Sequence, residues 1–494
     1  MSFPLRSAAI VVASLALLAY LVSGPLRSPS AFVRGNAIDF NAAYCGIKVA
    51  ERGADPYRVE PLRRCEHDAT PTKDHSHDWI VVPAPLPGYT FSLLRPLAHL
   101  PYDAAKTAWV VLGVASLLIA SFCAARVTAL PFVVVLLAFT PAVGLLNIWY
   151  GEPVPLAIAL IGGAALAAHR RHDALAGVLA GLALLEPHVG VGACVGAFVA
   201  LPRSRLPLLA TCAVLGGLSL ATLGLQGDLE YLHVALPAQA RSEISVNYQL
   251  SLAHLLNVAG VPTRVAVTLG SLSYAVMTLV GAALAWRLAR GGVRAAAVYL
   301  PVTCAMLGGP YVHTVEIAAA IPGVLLLCTL VEGGTRIVAA AALSLLLVPW
   351  NAGANGEVAY VPLTLAAVFT TTALVLERTA APLRIAAALT LAVGIYVFAI
   401  PPGVPQPAPQ VARPSAIRAD DLASRGWTMF VSSSTIWPHE DVKHVMLKLP
   451  QWLGLLLAIG AAAAFVRRPH IQFVHDDVEI ATAFRSTQRA RPTV

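Results

Sequence analysis

Long apolar runs recur along this chain of 494 residues, and most of them approach the length that a helix needs to cross a lipid bilayer. A spanning helix takes roughly 20 residues to cross about 30 Å of hydrocarbon. The chain is 57% hydrophobic and only 12% charged, which excludes an ordinary soluble domain. We therefore predict an all-α polytopic membrane protein with about 12–14 transmembrane helices. The spans are predicted near 7–24, 105–126, 129–147, 154–168, 205–224, 264–289, 294–308, 313–331, 335–349, 358–376, 383–400 and 450–466.

The charges between the runs predict the orientation of the chain. Turns at one end of the predicted helices carry arginine, as in "HRRHD" and "RLARGGVR", whereas turns at the other end, such as "NIWYGEP" and "GGPYVH", carry no Lys or Arg. Cytoplasmic loops are enriched in Lys and Arg. We therefore place both termini in the cytoplasm and predict a multi-pass protein of the inner or plasma membrane. The net charge of +8 is spread over these turns, so it does not indicate binding to nucleic acid.

This orientation divides the chain into six segments. A first transmembrane anchor, for which a cleaved signal peptide is the alternative, precedes a long extracytoplasmic loop. A multi-helix membrane core follows, and then a Pro-rich extracytoplasmic loop, a last transmembrane helix and a cytoplasmic tail. In that order the predicted segments are 1–26, 27–104, 105–400 with an outer loop at 225–263, 401–449, 450–466 and 467–494.

Two apolar runs, at 174–186 and 188–201, are too short to cross a bilayer. Each corresponds to about 20 Å of helix at 1.5 Å per residue. Arginine follows at both outer ends, so we predict a broken, re-entrant pair of helices with Glu186-Pro187-His188 at its tip. A carboxylate at membrane depth costs several kcal/mol unless it is paired or hydrated. We therefore expect a water-filled cavity with Glu186 and His188 at its floor.

The stretch "GNAIDFNAAYCGIKVAERGADPY" begins at Gly35, in the first predicted extracytoplasmic loop. Its apolar residues recur at helical spacing, with Lys48 and Glu51 on the other side, which predicts an amphipathic helix along the outer membrane surface. Asp39 stands at the start of this helix. From the residues alone, two interpretations are open: a carboxylate that caps the helix, or an acid that takes part in chemistry.

The same stretch resembles the opening motif of glycosyltransferase family 87, whose members use polyprenyl-phosphate sugars and include mannosyl- and arabinofuranosyltransferases. The family pattern is an Asp-Phe pair, then Tyr, then Gly-x-Asp-x-Tyr, and here these are Asp39-Phe40, Tyr44 and residues 53–57. The resemblance continues in the order of the family and covers about residues 30–330. The later stretches that carry it are "VVPAPLPGYTFSLLRPLAHLPYDAAKTAW", "YGEPVPLAIALIGGAALAAHRRHDALAGVLAGLALLEPHVG", "VNYQLSLAHLLNVAGVP" and "CAMLGGPYVHTVEIAAAIPGVLLL".

The resemblance implies a GT-C-type bundle that moves a sugar from a polyprenyl-phosphate donor to a glycan or glycolipid acceptor of the cell envelope, without a cofactor. It implies that Asp39 is the catalytic base and that His313 acts beside it. Other polar residues of the resembling stretches and of the predicted cavity are expected to contact substrate. They are Tyr44, Tyr57, Glu152, Glu186, His188, Asn247, Gln249 and Glu316.

One carboxylate is enough for such a transfer. A polyprenyl phosphate is already a good leaving group and needs no general acid, whereas the acceptor hydroxyl must lose a proton as it attacks the anomeric carbon. A single displacement then inverts that carbon. The departing phosphate requires cations or N–H groups. The basic residues expected for this role are Arg34, Arg64, Lys106 and Arg241.

Two positions depart from the family pattern. The family's Gln after the turn glycine is Glu152 here, and its Lys before a proline is Glu186. The second change removes a cation near the donor phosphate. His188 is a candidate for the missing positive charge, and Glu186 alternatively binds a metal or the acceptor sugar. Two other functions therefore stay open: a transporter or flippase, although no inverted repeat is evident, and a non-catalytic member of the family.

Two features of the first predicted extracytoplasmic loop concern metals and cysteines. The stretch "CEHDATPTKDHSHDW" holds His67, His75 and His77. Zinc accepts such ligands, but no second ligand pair stands at the usual spacing, so we predict a polar loop and no metal site. Cys45 and Cys65 lie in the same loop, where an oxidising environment would permit a disulfide between them.

Overall fold

The computed structural model describes residues 38–69, 81–139, 145–244, 246, 248–347, 417–433 and 442–467. These residues form helices and two isolated β-bridges, with no strand among them. The prediction of an all-α membrane protein is confirmed. The anchor predicted at 1–26, the spans predicted at 358–376 and 383–400, most of the Pro-rich loop and nearly all of the tail lie outside the described residues.

The α-helices of the described segments are numbered here in chain order. They are α1 Ile38–Glu51, α2 Val59–Ala69, α3 Gly88–Ala98, α4 Tyr102–Thr128, α5 Phe132–Phe139, α6 Leu145–Tyr150, α7 Val154–His169, α8 Asp173–Leu182, α9 Pro187–Ala200, α10 Arg205–Glu230, α11 Leu236–Glu243, α12 Leu252–Val258, α13 Thr263–Arg290, α14 Ala296–Ala305, α15 Ile321–Leu330, α16 Gly333–Leu347, α17 Ala423–Ser433 and α18 Val442–Val466. Short 3₁₀-helices occupy Ala183–Leu185, Pro202–Ser204 and Thr314–Ala320, and a π-helix occupies Tyr231–Ala235.

Four helical stretches of the described chain are long and apolar enough to cross a bilayer: Tyr102–Thr128, Pro202–Glu243, Thr263–Arg290 and Val445–Val466. Shorter apolar helices, including α7, α8, α9, α14 and α16, pack among them around one hydrophobic core. The number of spans predicted from the sequence, about 12–14, stays a prediction.

Two predicted spans are not continuous α-helices. The span predicted at 129–147 corresponds to α5 and α6, with residues 140–144 outside the described part of the chain. The span predicted at 313–331 begins as the 3₁₀-helix Thr314–Ala320 before it becomes α15. The 3₁₀-helix directly follows the loop that carries His313, and it places the Glu316 carboxylate next to the His313 imidazole.

The long stretch at 202–243 continues past the end of the span predicted at 205–224. Gly224 interrupts the helix with φ 69°, a left-handed conformation that glycine adopts without steric cost. Beyond this kink the chain stays helical through the π-helix into α11. The first part of the outer loop predicted at 225–263 is therefore helical, and it carries Gln239 and Glu243.

The predicted break between two short helices is confirmed. Glu186 has an extended backbone with φ −123° and ψ 90°, and α9 begins directly after it with Pro187. Proline suits the first position of a helix because the N–H that it lacks has no partner there. Gly190 allows the two arms to pack closely, since a Cβ at that position would lie 2.3 Å from the carbonyl oxygen of Ala183.

The first described helix, α1, differs from the amphipathic surface helix that the sequence predicts. Nine of its fourteen residues are buried, because α1 packs against α2 and α3 and its Phe40 stacks on Trp109 of α4 with ring centroids 5.4 Å apart. The predicted disulfide between Cys45 and Cys65 is present and joins α1 to α2. The first turn of α1 is therefore held by packing inside the protein.

Candidate active site

A cavity of about 440 Å³ opens where distant parts of the chain meet. Its walls come from the first turn of α1, the segment 82–86, the turn between α6 and α7, the tip between α8 and α9, α11, and the loop before the 3₁₀-helix Thr314–Ala320. Much of the lining is apolar. The acidic residues among the described lining are Asp39, Glu152, Glu186, Glu243 and Glu316, and the histidines are His188 and His313.

Asp39 lies in the first turn of α1 and lines the cavity. Its carboxyl group forms a side-chain hydrogen bond with Glu152. Burial, followed by the charge of Glu152, raises the pKa of Asp39 well above its usual value, and the nearby His313 opposes this increase. Two adjacent carboxyl groups cannot both ionise easily, so Asp39 retains its proton to higher pH than a solvated aspartate does.

His313 stands in the loop before the 3₁₀-helix, surrounded by carboxylates. Its Nε2 lies 3.4 Å from Glu243 Oε2, and its Nδ1 lies 3.7 Å from Glu152 Oε1 and 3.5 Å from Glu316 Oε1. Burial opposes the protonation of His313, but its hydrogen bonds to Glu152 and Glu243 outweigh burial and raise its pKa well above the usual value. These hydrogen bonds therefore favour the protonated form of the imidazole beside Asp39.

His188 occupies the tip between α8 and α9 and forms two short ion pairs. Its Nδ1 lies 2.8 Å from Glu186 Oε1, and its Nε2 lies 2.8 Å from Glu316 Oε2. Tyr311 joins this pair to the neighbouring one, because its ring lies 5.6 Å from the ring of His188 and 4.7 Å from that of His313. Glu316 thus connects the two histidines.

Hydrogen bonds behind the cavity fix the loop that carries His313. The side-chain oxygen of Gln249 accepts from the backbone N–H of Val312 at 3.1 Å, and Gln249 and His313 form an isolated antiparallel bridge. The backbone N–H of His313 donates to Glu316 Oε2 at 3.0 Å. On the other side, Asn147 Nδ2 donates to the carbonyl oxygen of Val315 at 2.9 Å. These contacts hold the imidazole in place from the two neighbouring segments.

Residues 87–314 match the family model of glycosyltransferase family 87. This segment belongs to glycosyltransferase family 87. It contains both histidines of the cavity, whereas Asp39 precedes it and Glu316 follows it. No curated protein and no solved structure matches the chain. The family match supports a glycosyltransferase, and the apolar helices support a protein of the membrane.

The cavity brings together six of the fourteen site residues singled out from the sequence. Asp39, His313, Glu152, Glu186, His188 and Glu316 all line it.

The remaining residues predicted to contact substrate lie elsewhere or outside the described chain. Tyr44 donates its hydroxyl to the carbonyl oxygen of Leu100, and Tyr57 donates to that of Leu86, so both tyrosines connect α1 and its neighbours behind the cavity wall. Gln249 supports the His313 loop, and Asn247 lies outside the described residues.

The basic residues predicted to bind the donor phosphate do not line the cavity where the structure describes them. The side chain of Arg64 is 79% exposed and lies near Glu60, Lys106 is buried in α4, and Arg241 is exposed on α11. Arg34 lies outside the described residues. Their role toward the phosphate stays a prediction.

Sequence reasoning missed several polar or aromatic residues that line the cavity, among them Gln239, Glu243, Tyr248 and Trp427. Gln239 and Glu243 were not predicted to line the cavity, because residues 225–263 were interpreted as an outer loop. Nothing in the pattern of that segment indicates which of its side chains point inward. Trp427 follows the Pro-rich segment, far from every motif. The signal available in the sequence was a glutamate four residues after a glutamine, in a segment with few other charges. In the structure, Gln239 Nε2 donates to Glu243 Oε1 at 3.1 Å.

Among the described residues, no group of three or more His, Cys, Asp or Glu side chains has an arrangement that would hold a metal ion. His67 belongs to α2, and His75 and His77 lie outside the described residues. The interpretation of Glu186 as a metal ligand gains no support, because this carboxylate pairs with His188.

Proposed function

We propose that this glycosyltransferase transfers a sugar of the mannose or arabinofuranose type from a polyprenyl-phosphate donor to a glycan or glycolipid acceptor of the cell envelope. The transfer is a single displacement that inverts the anomeric carbon. It takes place on the extracytoplasmic side of the inner or plasma membrane, with both termini in the cytoplasm. Asp39 is the base, and His313 is the cation that supports it.

The observation that carries this proposal is the convergence of Asp39 and His313 on one cavity from opposite ends of the described core. The positive charge of His313 favours the ionised form of Asp39. A general base must lie within reach of the proton that it removes, and its pKa should be near the working pH. The cavity in front of Asp39 leaves room for an acceptor hydroxyl, and the pKa of Asp39 is shifted upward from its usual value.

In the proposed step, the acceptor hydroxyl transfers its proton to Asp39 while its oxygen bonds to the anomeric carbon. The bond between that carbon and the phosphate oxygen breaks, and the electron pair leaves with the phosphate. The positive charge of His313 beside Asp39 favours the ionised carboxylate that accepts this proton. Glu186, His188 and Glu316 are proposed to hydrogen-bond sugar hydroxyls in the same cavity.

The lipid part of the donor is compatible with the remaining wall of the cavity. Pro85, Leu236 and Val267 line it together with other apolar side chains, and such a surface buries an isoprenoid chain favourably. For the phosphate, Arg34 is the first residue to test, because it precedes Asp39 by only five positions in the sequence. Arg64, Lys106 and Arg241 are the further candidates.

Mass spectrometry of envelope glycans and glycolipids from a deletion strain tests the proposal. We expect the strain to accumulate an acceptor that lacks one sugar residue, and the wild-type gene to restore the complete product. The prenyl-phosphate sugar should accumulate as well, because its consumption stops. Unchanged glycans and glycolipids would contradict the proposal and would favour the transporter or the non-catalytic alternative.

A further inference from the structure

The last described helix, α18, carries three polar side chains on one face. Gln451 and Trp452 follow Lys448 by three and four positions, and residues with this spacing are neighbours on the surface of a helix. Lys448 is only 4% exposed, and it belongs to the stretch Val445–Val466 that is long and apolar enough to cross a bilayer. A buried lysine in such a stretch is costly without a partner and is therefore a candidate functional residue.

One partner of Lys448 is His254 of α12, which lies 194 residues earlier in the chain. Lys448 Nζ lies 2.7 Å from His254 Nε2, and His254 Nδ1 lies 2.6 Å from the carbonyl oxygen of Ile244. That carbonyl can only accept, so Nδ1 carries the ring proton, and Nε2 accepts from the lysine ammonium, which offers donors only. Ile244 directly follows Glu243, the last residue of α11, whose carboxylate lies beside His313.

Trp452 contacts the region of His313 by a second route. Its indole Nε1 donates to the carbonyl oxygen of Leu250 at 2.8 Å, and the backbone N–H of Leu250 donates to the carbonyl oxygen of Val312 at 2.6 Å. The residue after His313 donates its backbone N–H to the carbonyl oxygen of Tyr248 at 2.8 Å. The backbone on both sides of the histidine is therefore bonded to a segment that Trp452 holds in place.

We propose that Lys448 and Trp452 are positioning residues for His313. Lys448 acts, through the imidazole that it contacts, on the end of α11 beside Glu243, and Trp452 acts on the backbone of the loop that carries His313. Neither positioning residue is among the described residues that line the cavity, and both follow the segment that matches the family. The inference rests on the proposed function, in which His313 supports Asp39. Its physical basis is that a displacement of about 1 Å far from the chemistry can lower a rate by about a hundredfold.

Gln451 provides a matched control on the same face of α18. It is 1% exposed, and its side-chain oxygen and nitrogen have no hydrogen-bond partner among the described residues. Gln451→Leu therefore removes a buried polar group from this helix without removing a contact to the region of His313. Replacing a buried polar group that lacks a partner by an apolar group of similar shape is nearly neutral or stabilising.

The first test measures backbone hydrogen exchange of the purified full-length chain in lipid nanodiscs. Two N–H groups report the two routes. The N–H of Val246 donates to the carbonyl oxygen of Glu243 at 2.9 Å and reports the end of α11, whereas the N–H of Leu250, bonded to Val312, reports the loop. Exchange in α2 and α3, which lie elsewhere in the fold, reports the general stability of the protein.

We expect Lys448→Met to accelerate exchange at Val246 by about tenfold, and Trp452→Phe to do the same at Leu250. A tenfold change corresponds to about 1.4 kcal/mol in the free energy of local opening. Exchange in α2 and α3 should keep the wild-type rate in both variants. Gln451→Leu should leave all of these rates unchanged.

Wild-type exchange at both reporter groups in these variants would overturn the proposal. Acceleration of equal size in α2 and α3 would also overturn it, because that result indicates a general loss of stability. Should Lys448→Met fail to fold, Trp452→Phe decides alone, since it removes a single N–H donor and keeps an aromatic ring in place.

The second test measures the glycan product of the complemented deletion strain, relative to the amount of protein in the membrane. Lys448→Met should lower the product by about tenfold, whereas Gln451→Leu should preserve it. In a chain that already carries Glu243→Gln, Lys448→Met should have little further effect, because both changes act on the same neighbour of His313. An equal tenfold loss in the two backgrounds would indicate an independent structural role and would overturn the proposal.

The two tests separate this inference from the proposed function. Hydrogen exchange requires no substrate, so a negative result there leaves the proposed function standing. Unchanged glycans in the deletion strain would overturn the proposed function and would leave the exchange result as it is.

Discussion

His188 and Glu316 form an ion pair in which Nε2 and Oε2 lie 2.8 Å apart, although they belong to segments separated by more than one hundred residues of chain. The pair joins the tip between α8 and α9 to the 3₁₀-helix that follows His313. Glu316 also accepts from the backbone N–H of His313. The carboxylate of Glu316 therefore contacts both histidines of the cavity and fixes their positions relative to each other.

Replacing Glu316 by Gln should destabilise the protein clearly. The change removes a buried charge from two imidazoles, and losing one partner of a buried pair costs about 3–5 kcal/mol. The measurement is the midpoint of thermal unfolding in detergent. Glu60→Gln is the matched control, because Glu60 pairs with Arg63 at the surface, where an ion pair contributes about 0–1 kcal/mol. Equal decreases of the unfolding midpoint for the two substitutions would contradict a buried ion pair between Glu316 and the histidines.

Removing the disulfide between Cys45 and Cys65 should lower stability and activity together. The bond closes a loop with a sequence separation of 20 residues, and a loop of that size corresponds to about 3 kcal/mol. It joins α2 to the helix that carries Asp39. The double variant Cys45→Ser, Cys65→Ser should unfold at a lower temperature than the wild type. Dithiothreitol should lower the wild-type midpoint and leave that of the variant unchanged; a wild-type midpoint insensitive to the reductant would speak against the bond.

Glycines where helices touch should not tolerate even one methyl group. A Cβ at Gly196 would lie 2.0 Å from the carbonyl oxygen of Ala297, a backbone atom, whereas a Cβ at Gly216 would meet nothing within 4 Å. Gly196→Ala should therefore reduce the amount of folded protein sharply, because overpacking costs about 1–3 kcal/mol or more. Gly216→Ala, also within a helix, should be neutral or slightly stabilising. Size-exclusion profiles of the two variants provide the comparison, and a normal profile for Gly196→Ala would contradict the described packing of α9 on α14.

Glu66 should make the stability of the protein depend on pH. Burial raises the pKa of this carboxyl group in α2 from 4.5 to about 8, and a hydrogen bond from Val82 opposes the increase. The unfolded chain releases the proton near its ordinary pKa, so the folded state is favoured most at low pH and loses this contribution as pH rises toward the folded pKa of about 8. Glu66→Gln mimics the protonated form. Its unfolding midpoint relative to wild type should rise between about pH 5 and pH 9, and a constant difference would exclude a raised pKa.

The sequence predicted the class of fold. It also singled out both histidines of the cavity, several of its carboxylates and the break in the helix at Glu186. Apolar run length and the proline after Glu186 are local signals, so α4, α13 and the break between α8 and α9 were foreseeable. The burial of α1 was not, because small residues such as Ala42 and Ala43 complete its packing on the side that was expected to face solvent. The surface helix was predicted from the spacing of its larger apolar residues, and that spacing takes no account of small residues such as these alanines.

The acidic wall of the site was only partly predictable. Glu243 enters the cavity because the helix begun at α10 continues past Gly224, and a glycine in an apolar run gives no sign of whether the helix ends or kinks there. Trp427 reaches the cavity from α17, after a long segment with no resembling motif. Contacts between such distant elements depend on the tertiary arrangement, which local patterns do not encode.

The glycan product of a deletion strain complemented with Asp39→Asn tests the central claim most directly. Asparagine keeps the shape of the side chain but cannot accept the acceptor's proton. We predict that the product falls by about a hundredfold or more, while the amount of the variant in the membrane equals that of the wild type. Asp103→Asn, at an exposed position outside the cavity, should restore the product fully. Wild-type levels of product with Asp39→Asn, at equal protein in the membrane, would contradict the account.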